Sequence, residues 1–182
     1  MKIYTFIKNG FEETECLIPV DYLRRANIEI KTVSFEKDLE VTGAHGIKVI
    51  ADLHWKDAKD KITAKDAIFL PGGLDQSTGL RDNPEAIEAL KKAGEQGQTV
   101  IAICAAPMVL AKAGLLKDKN YTCYPSIEEG IKDGKFTGKG TTVDGNIITA
   151  KGPAFAAELA FLLIEKFKGK ALLEETKAGL LY

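Results

Sequence analysis

Cysteine, histidine and tryptophan are scarce in this 182-residue chain, which has three, two and one of them respectively. An odd number of cysteines at irregular spacing excludes a disulfide framework and fits a reducing, cytoplasmic compartment. Neither cysteines nor histidines fall at metal-ligand spacing, so no metal site is expected. Long apolar runs are missing too. Nothing approaches membrane-spanning length, and Met1 to Ile7 is too short an apolar stretch for a signal peptide. Charge of one sign is equally absent: 25 basic and 26 acidic residues are mixed throughout. That excludes a basic stripe for nucleic acid and an acidic tail. No linker, repeat or low-complexity tract divides the chain, so a single domain over residues 1–182 is expected, with a core that needs no staples.

What is present is an alternation of short β-rich runs with amphipathic segments. Ile3 to Ile7, Ile28 to Phe35 and Ala67 to Leu70 read as strands, the last continuous and apolar like a strand covered on both faces. Helices are expected over Glu13 to Ala26 and Pro84 to Gln96. Leu39 to Val41 and Gly46 to Ile50 form a small β excursion hinged on Thr42-Gly43-Ala44. Later come a short strand at Tyr121 to Tyr124, a hairpin over Thr142 to Thr149, a long helix from Pro153 to Lys168, and a short terminal helix over Ala171 to Lys177. The rhythm predicts a doubly wound, mostly parallel α/β sheet, whose ligands sit beyond the carboxyl ends of the strands.

Cys104 ends the apolar run Thr99 to Ile103 and precedes Ala105-Ala106-Pro107, a helix opening with proline near its first position. A nucleophile at such a junction sits in a strained turn flanked by small side chains. A helix N-terminus beside it would favour thiolate over thiol. A lone cysteine more often packs as a small hydrophobe, and the other segments reaching the same sheet edge decide against that here. Leu70-Pro71-Gly72-Gly73 leaves its strand with adjacent glycines, whose amides can point into a cleft. Gly72, Gly73 and Ala105 are therefore candidates for oxyanion or substrate binding.

Glu12 and Glu13 in a first helical turn complement the macrodipole. Glu15 differs, because Pro19 four residues on has no N–H for its carbonyl, and an interior proline costs about 3 kcal/mol relative to alanine. Buried beside Cys104, Glu15 would be protonated and able to shuttle a proton. Cys16 falls on the stripe with Val20 and Leu23 and reads as core. Cys123 and Tyr124 are expected near the cleft. His45 and His54 read as exposed polar side chains.

Gly10-Phe11-Glu12-Glu13-Thr14-Glu15, Ile18-Pro19-Val20-Asp21, Leu70-Pro71-Gly72-Gly73, Ala102-Ile103-Cys104-Ala105-Ala106-Pro107 and Lys151-Gly152-Pro153 together resemble the DJ-1/PfpI (ThiJ-like) family, in its DJ-1-like branch. The resemblance implies a flavodoxin-like three-layer sandwich, a homodimer, Cys104 as nucleophile and Glu15 as its protonated partner, with Gly152 and Pro153 near the cleft. It departs at one point: several members carry a histidine before the proline where this chain has Tyr124-Pro125. With no Cys–His pair, a cysteine peptidase or amidase is the weakest reading. The leading one is a glutathione-independent glyoxalase or deglycase acting on small aldehydes or glycated substrates. The alternative is a non-catalytic oxidative-stress protein in which Cys104 becomes a sulfinate. Pro71-Gly72-Gly73 is too short for a Walker-type phosphate loop, and no cofactor is expected.

Overall fold

The computed structural model describes residues 1–182. Seven strands form the main sheet: β1 (Ile3–Ile7), β2 (Ile30–Ser34), β5 (Leu53–His54), β6 (Ala67–Leu70), β7 (Val100–Ile103), β10 (Thr141–Asp144) and β11 (Ile147–Ala150). Two small two-stranded ladders stand apart from it, β3 (Glu40–Thr42) with β4 (Lys48–Ile50), and β8 (Asn120–Tyr121) with β9 (Lys135–Phe136). The helices are α1 (Glu13–Arg25), α2 (Trp55–Ala58), α3 (Leu74–Arg81), α4 (Pro84–Glu95), α5 (Pro107–Lys112), α6 (Ala156–Lys168) and α7 (Lys170–Gly179).

The sheet order is β10-β11-β7-β6-β1-β2-β5, parallel except for the β10–β11 hairpin at one edge. From β1 the chain winds outward through β2 and β5, then returns to the other side of β1 at β6 and continues outward to β7. That reversal between β1 and β6 opens the crevice in which doubly wound sheets hold ligands.

Alternation along each strand feeds two separate cores. Ile3 and Ile7 of β1 and Ile101 and Ile103 of β7 pack with Cys16, Val20 and Leu23 of α1 and with Leu159 and Leu163 of α6. Tyr4 and Phe6, with Val100 and Ala102, face the opposite layer of Trp55, Leu80, Leu90 and Val109. Both faces are covered, which is why β1, β6 and β7 are buried at every position. The architecture is the three-layer α/β sandwich expected from the sequence.

Several local expectations need correction. Helix α3 begins directly after Gly73, where only a turn was expected. The strand expected over Tyr121 to Tyr124 is just Asn120–Tyr121. The long late helix starts as a 3-10 turn over Pro153–Phe155 before α6 begins.

Candidate functional site

Three neighbouring strands deliver three loops to one sheet edge. β1 leads through Asn9 to Glu12 into α1, β6 into Pro71-Gly72-Gly73, and β7 into Cys104. Gln76 of α3 ties two of these together: its Oε1 accepts from the Lys8 N–H at 2.7 Å, and its Nε2 donates to the Pro71 carbonyl at 2.7 Å. The Glu12 N–H adds a bond to the Gly72 carbonyl at 3.0 Å.

Cys104 has φ of 65°, the left-handed region that a non-glycine residue enters at a cost of about 1–3 kcal/mol. Surrounding bonds impose it. The Cys104 N–H donates to the Ala150 carbonyl at 2.9 Å, and its carbonyl accepts from the Tyr124 N–H at 2.8 Å. The thiol is half-buried, and the Gly73 and Ala105 amides donate toward it. Gly73 and Ala105 are two of the three candidates named for oxyanion or substrate binding, and both amides reach the sulfur; the third, Gly72, turns its amide to Glu15 instead.

Glu15 projects from the first turn of α1 and is fully buried. The Gly72 N–H donates to its Oε2 at 2.9 Å, while Oε1 has no hydrogen-bond partner of adequate geometry and the carboxyl group lies against the Cys104 thiol. Gly72 makes this closeness available: a Cβ there would overlap Glu15 Oε2 and stand 2.6 Å from Cys104 Cβ. Gly73, at φ of 94°, would drive a Cβ into the Gly10 carbonyl oxygen.

Burial pushes the Glu15 carboxyl from its ordinary 4.5 up to about 7, with the Glu12 charge adding to the effect. The Cys104 thiol is also pushed up, by burial first and then by the Glu15 charge and hydrogen bond, against the pull of the Ala105 and Gly73 amides. This corrects the expectation that a helix end favours the thiolate. The helix begins only at Pro107 and spans six residues, too little to offset burial and a neighbouring carboxylate. When Glu15 holds the proton its charge is gone, and the amides act on sulfur without that opposition. The two groups behave as one unit sharing a proton.

Cys104 opens into a cleft of about 570 Å³ that also exposes Gly73, Ala105, Tyr124 and Pro153. Gly152 lies behind Tyr124, where a Cβ would come 3.3 Å from Cδ2 of the ring. Cys123 is placed otherwise than expected: it is buried in the opposite core, Sγ 3.9 Å from Glu128 Oε2, and burial pushes it to about 12. Cys16 is core as expected and pushed to about 12 by burial.

Both histidines are engaged beyond the exposed polar role expected of them. His54 is half-buried, with Nε2 2.6 Å from the Glu36 carbonyl oxygen. His45 is exposed, but its place is the rim of the Cys104 cleft. Its Nδ1 lies 2.9 Å from Oε2 of buried Glu13 and 3.5 Å from Oε2 of Glu12. Those three residues bring donor atoms within 4.8 Å of one another. Glu13 already accepts the His45 and Ile47 amides as well as the ring, so the group is a hydrogen-bonded clamp rather than a metal centre. The sequence signal for it was the Glu12-Glu13 pair facing a glycine-hinged turn.

A cysteine held in a strained turn after a central strand, with a buried carboxylic acid beside it, defines a class of α/β protein with a cysteine at the switch-point edge of a doubly wound sheet. The chain belongs to the DJ-1/PfpI family, which it matches over residues 1–166. It is 34% identical over 175 residues to protein dj-1beta of Drosophila melanogaster, covering 94% of this chain and 92% of that protein. The crystal structure of Drosophila DJ-1beta superposes with a TM-score of 0.93, covering 100% of this chain and 98% of that one. DJ-1 homolog B of Arabidopsis thaliana is 33% identical over 90% of this chain, which spans only 37% of that longer protein. Deglycase PfpI of Pyrococcus furiosus is 33% identical over 156 residues, 84% of this chain and 91% of that protein. No helix is long and apolar enough to cross a membrane.

Proposed function

We propose that the protein is a glutathione-independent glyoxalase or deglycase that acts on small reactive aldehydes through Cys104 and Glu15. The observation that carries the reading is the buried Glu15 carboxyl, raised to about 7 against the Cys104 thiol. The reaction runs from the form of the pair in which Glu15 holds the proton and Cys104 is the thiolate, reached when the thiol passes its proton to the adjacent carboxylate. Sulfur adds to the aldehyde carbon of methylglyoxal, and the new alkoxide takes the Glu15 proton to give a hemithioacetal. Glu15, now a carboxylate, removes the hydrogen on that carbon and returns it to the neighbouring one through an enediol. The resulting 2-hydroxyacyl thioester is hydrolysed to lactate. The Gly73 and Ala105 amides face the sulfur and stabilise negative charge at the reacting centre. Similarity to a protein named as a deglycase extends the substrate class to glycated groups.

The second reading, a redox-sensing protein, has its own support. A sulfinate on Cys104 would meet the same two amides, and a protonated Glu15 would donate to it. Peptidase chemistry has least support, since the resemblance expects the histidine that pairs with the cysteine at the position where this chain has Tyr124. Three free thiols fit a cytoplasmic setting, and exposed Leu17, Ile47 and Ile50 on α1 and the β3–β4 hairpin fit a homodimer.

Lactate formation from methylglyoxal without glutathione tests the choice. The aldehyde reading expects turnover by the wild type and its loss in Cys104→Ser, Glu15→Gln and Glu15→Ala. An inert wild type whose peroxide sensitivity shifts most in Glu15→Ala would support the sensor instead.

A further inference from the structure

The aldehyde chemistry leaves one proton without a carrier. Hydrolysis of the thioester on Cys104 requires water to attack and to lose a proton. Glu15 is fully buried and reaches the bound carbon from the inner side of the sulfur, whereas water arrives from the open cleft, which His45 borders and Glu15 does not. We propose, resting on that aldehyde reading, that His45 held by Glu13 is the base that accepts this proton, so that a dyad on the β3–β4 turn serves the hydrolytic half of the reaction.

The turn that carries His45 is docked by backbone bonds that hold it without the ring. The Gly10 N–H donates to the Thr42 carbonyl at 2.9 Å, and the Ala44 N–H to the Phe11 carbonyl at 2.8 Å. The His45 N–H donates to Glu13 Oε1 at 2.7 Å. Gly43 lies so close to Glu13 that a Cβ there would run into the carboxyl group. The further bond from the ring to Glu13 therefore fixes the orientation of an imidazole at the cleft rim. Glu13 is 3% exposed and has no ion-pair partner other than His45. Burial pushes its carboxyl up, but bonds from the His45 ring and from the local amides outweigh this and keep it ionised. With Nδ1–H donating to that carboxylate, Nε2 of the neutral ring is a free acceptor on a side chain lining the same cleft as Cys104, and the Glu13 bond with the Glu12 and Glu13 charges strengthens its hold on a proton. A carboxylate that orients an imidazole and stabilises its charged form is the arrangement a general base requires.

The step balances. Water oxygen bonds to the thioester carbon as its proton passes to Nε2, and the carbon–sulfur bond breaks to release Cys104 as thiolate. The 2-hydroxy acid ionises. Of the two protons set free, one restores Glu15 and the other passes from His45 to solvent.

The test compares wild type with His45→Gln, Glu13→Gln and His45→Ala on methylglyoxal. His45→Gln should form lactate about 100-fold more slowly. It should still take up aldehyde, accumulating a Cys104 adduct that survives dilution and that hydroxylamine releases as a hydroxamate, as it does a thioester, whereas a hemithioacetal reverts on dilution and yields only the oxime. Glu13→Gln should accumulate the same adduct, and added imidazole should restore turnover to His45→Ala. An active wild type beside an equally active His45→Gln overturns the dyad alone; an inert wild type overturns the aldehyde reading and the dyad with it. Activity that EDTA removes and zinc restores would also overturn it, because Glu12, Glu13 and His45 would then be ligands.

Discussion

Replacing Glu15 by glutamine should make the protein more stable, and only above the pH at which an ordinary carboxyl ionises. The unfolded chain loses the Glu15 proton near 4.5, whereas the folded protein keeps it until about 7. Between those values the unfolded state has released a proton that the native state still binds, so native stability falls as pH rises. Each pH unit in that window costs about 1.4 kcal/mol, giving a total of about 3 kcal/mol once pH exceeds 7. Below 4.5 the contribution vanishes, since both states are protonated. Glutamine keeps an acceptor for the Gly72 N–H, which now reaches Glu15 Oε2 at 2.9 Å, and has no charge to desolvate. Thermal unfolding at fixed protein concentration should show Glu15→Gln close to wild type at about pH 4. It should melt about 6–12 °C higher at about pH 8, by the usual scaling of stability to melting temperature for a chain of this size. A difference that is the same at both pH values, or of opposite sign, would refute the claim that Glu15 is a carboxyl held protonated by burial.

Limiting peroxide should oxidise Cys104 before Cys16 or Cys123, because Cys104 borders the open cleft whereas both of the others are fully buried, and tryptic mass mapping reads the order directly. Gly72→Ala should destabilise by about 1–3 kcal/mol and slow Cys104 alkylation, since the added methyl overlaps both Glu15 and Cys104; unchanged melting would show that the turn yields freely. Light scattering should give about twice the 19.8 kDa chain mass, and a value at the chain mass would remove the homodimer.

The parts of this structure that were legible in the sequence are those where one local signal suffices. Continuous apolar runs marked β6 and β7 because both faces of a central parallel strand are buried. The proline of Ala105-Ala106-Pro107 located the turn after Cys104 to within two residues. Glu15 stood out because Pro19 withdraws a helical hydrogen bond. Helix α3 was invisible for the opposite reason: Leu74 to Arg81 buries Gln76 and Ser77 beside a single apolar residue, Leu80, so its inward face is mostly polar and carries no hydrophobic period. Cys123 follows a strand of two residues, too short for alternation to say which way its sulfur points. The hairpin bearing His45 was legible, but its folding back over the start of α1 depends on Glu13 and Gly43, which are 30 residues apart in the chain. Helix-end electrostatics misled at Cys104, since burial and Glu15 outweigh a six-residue helix.

The most direct test is a crystal structure of Glu15→Gln soaked with methylglyoxal. Glutamine fills the place of Glu15 but cannot carry a proton between carbons, so the reaction should stop at the first adduct. The account predicts continuous density from Cys104 Sγ to the aldehyde carbon, with the new oxygen toward the Gly73 and Ala105 amides. Unmodified Cys104 in a saturated crystal, or the adduct on a lysine or another cysteine, would contradict it.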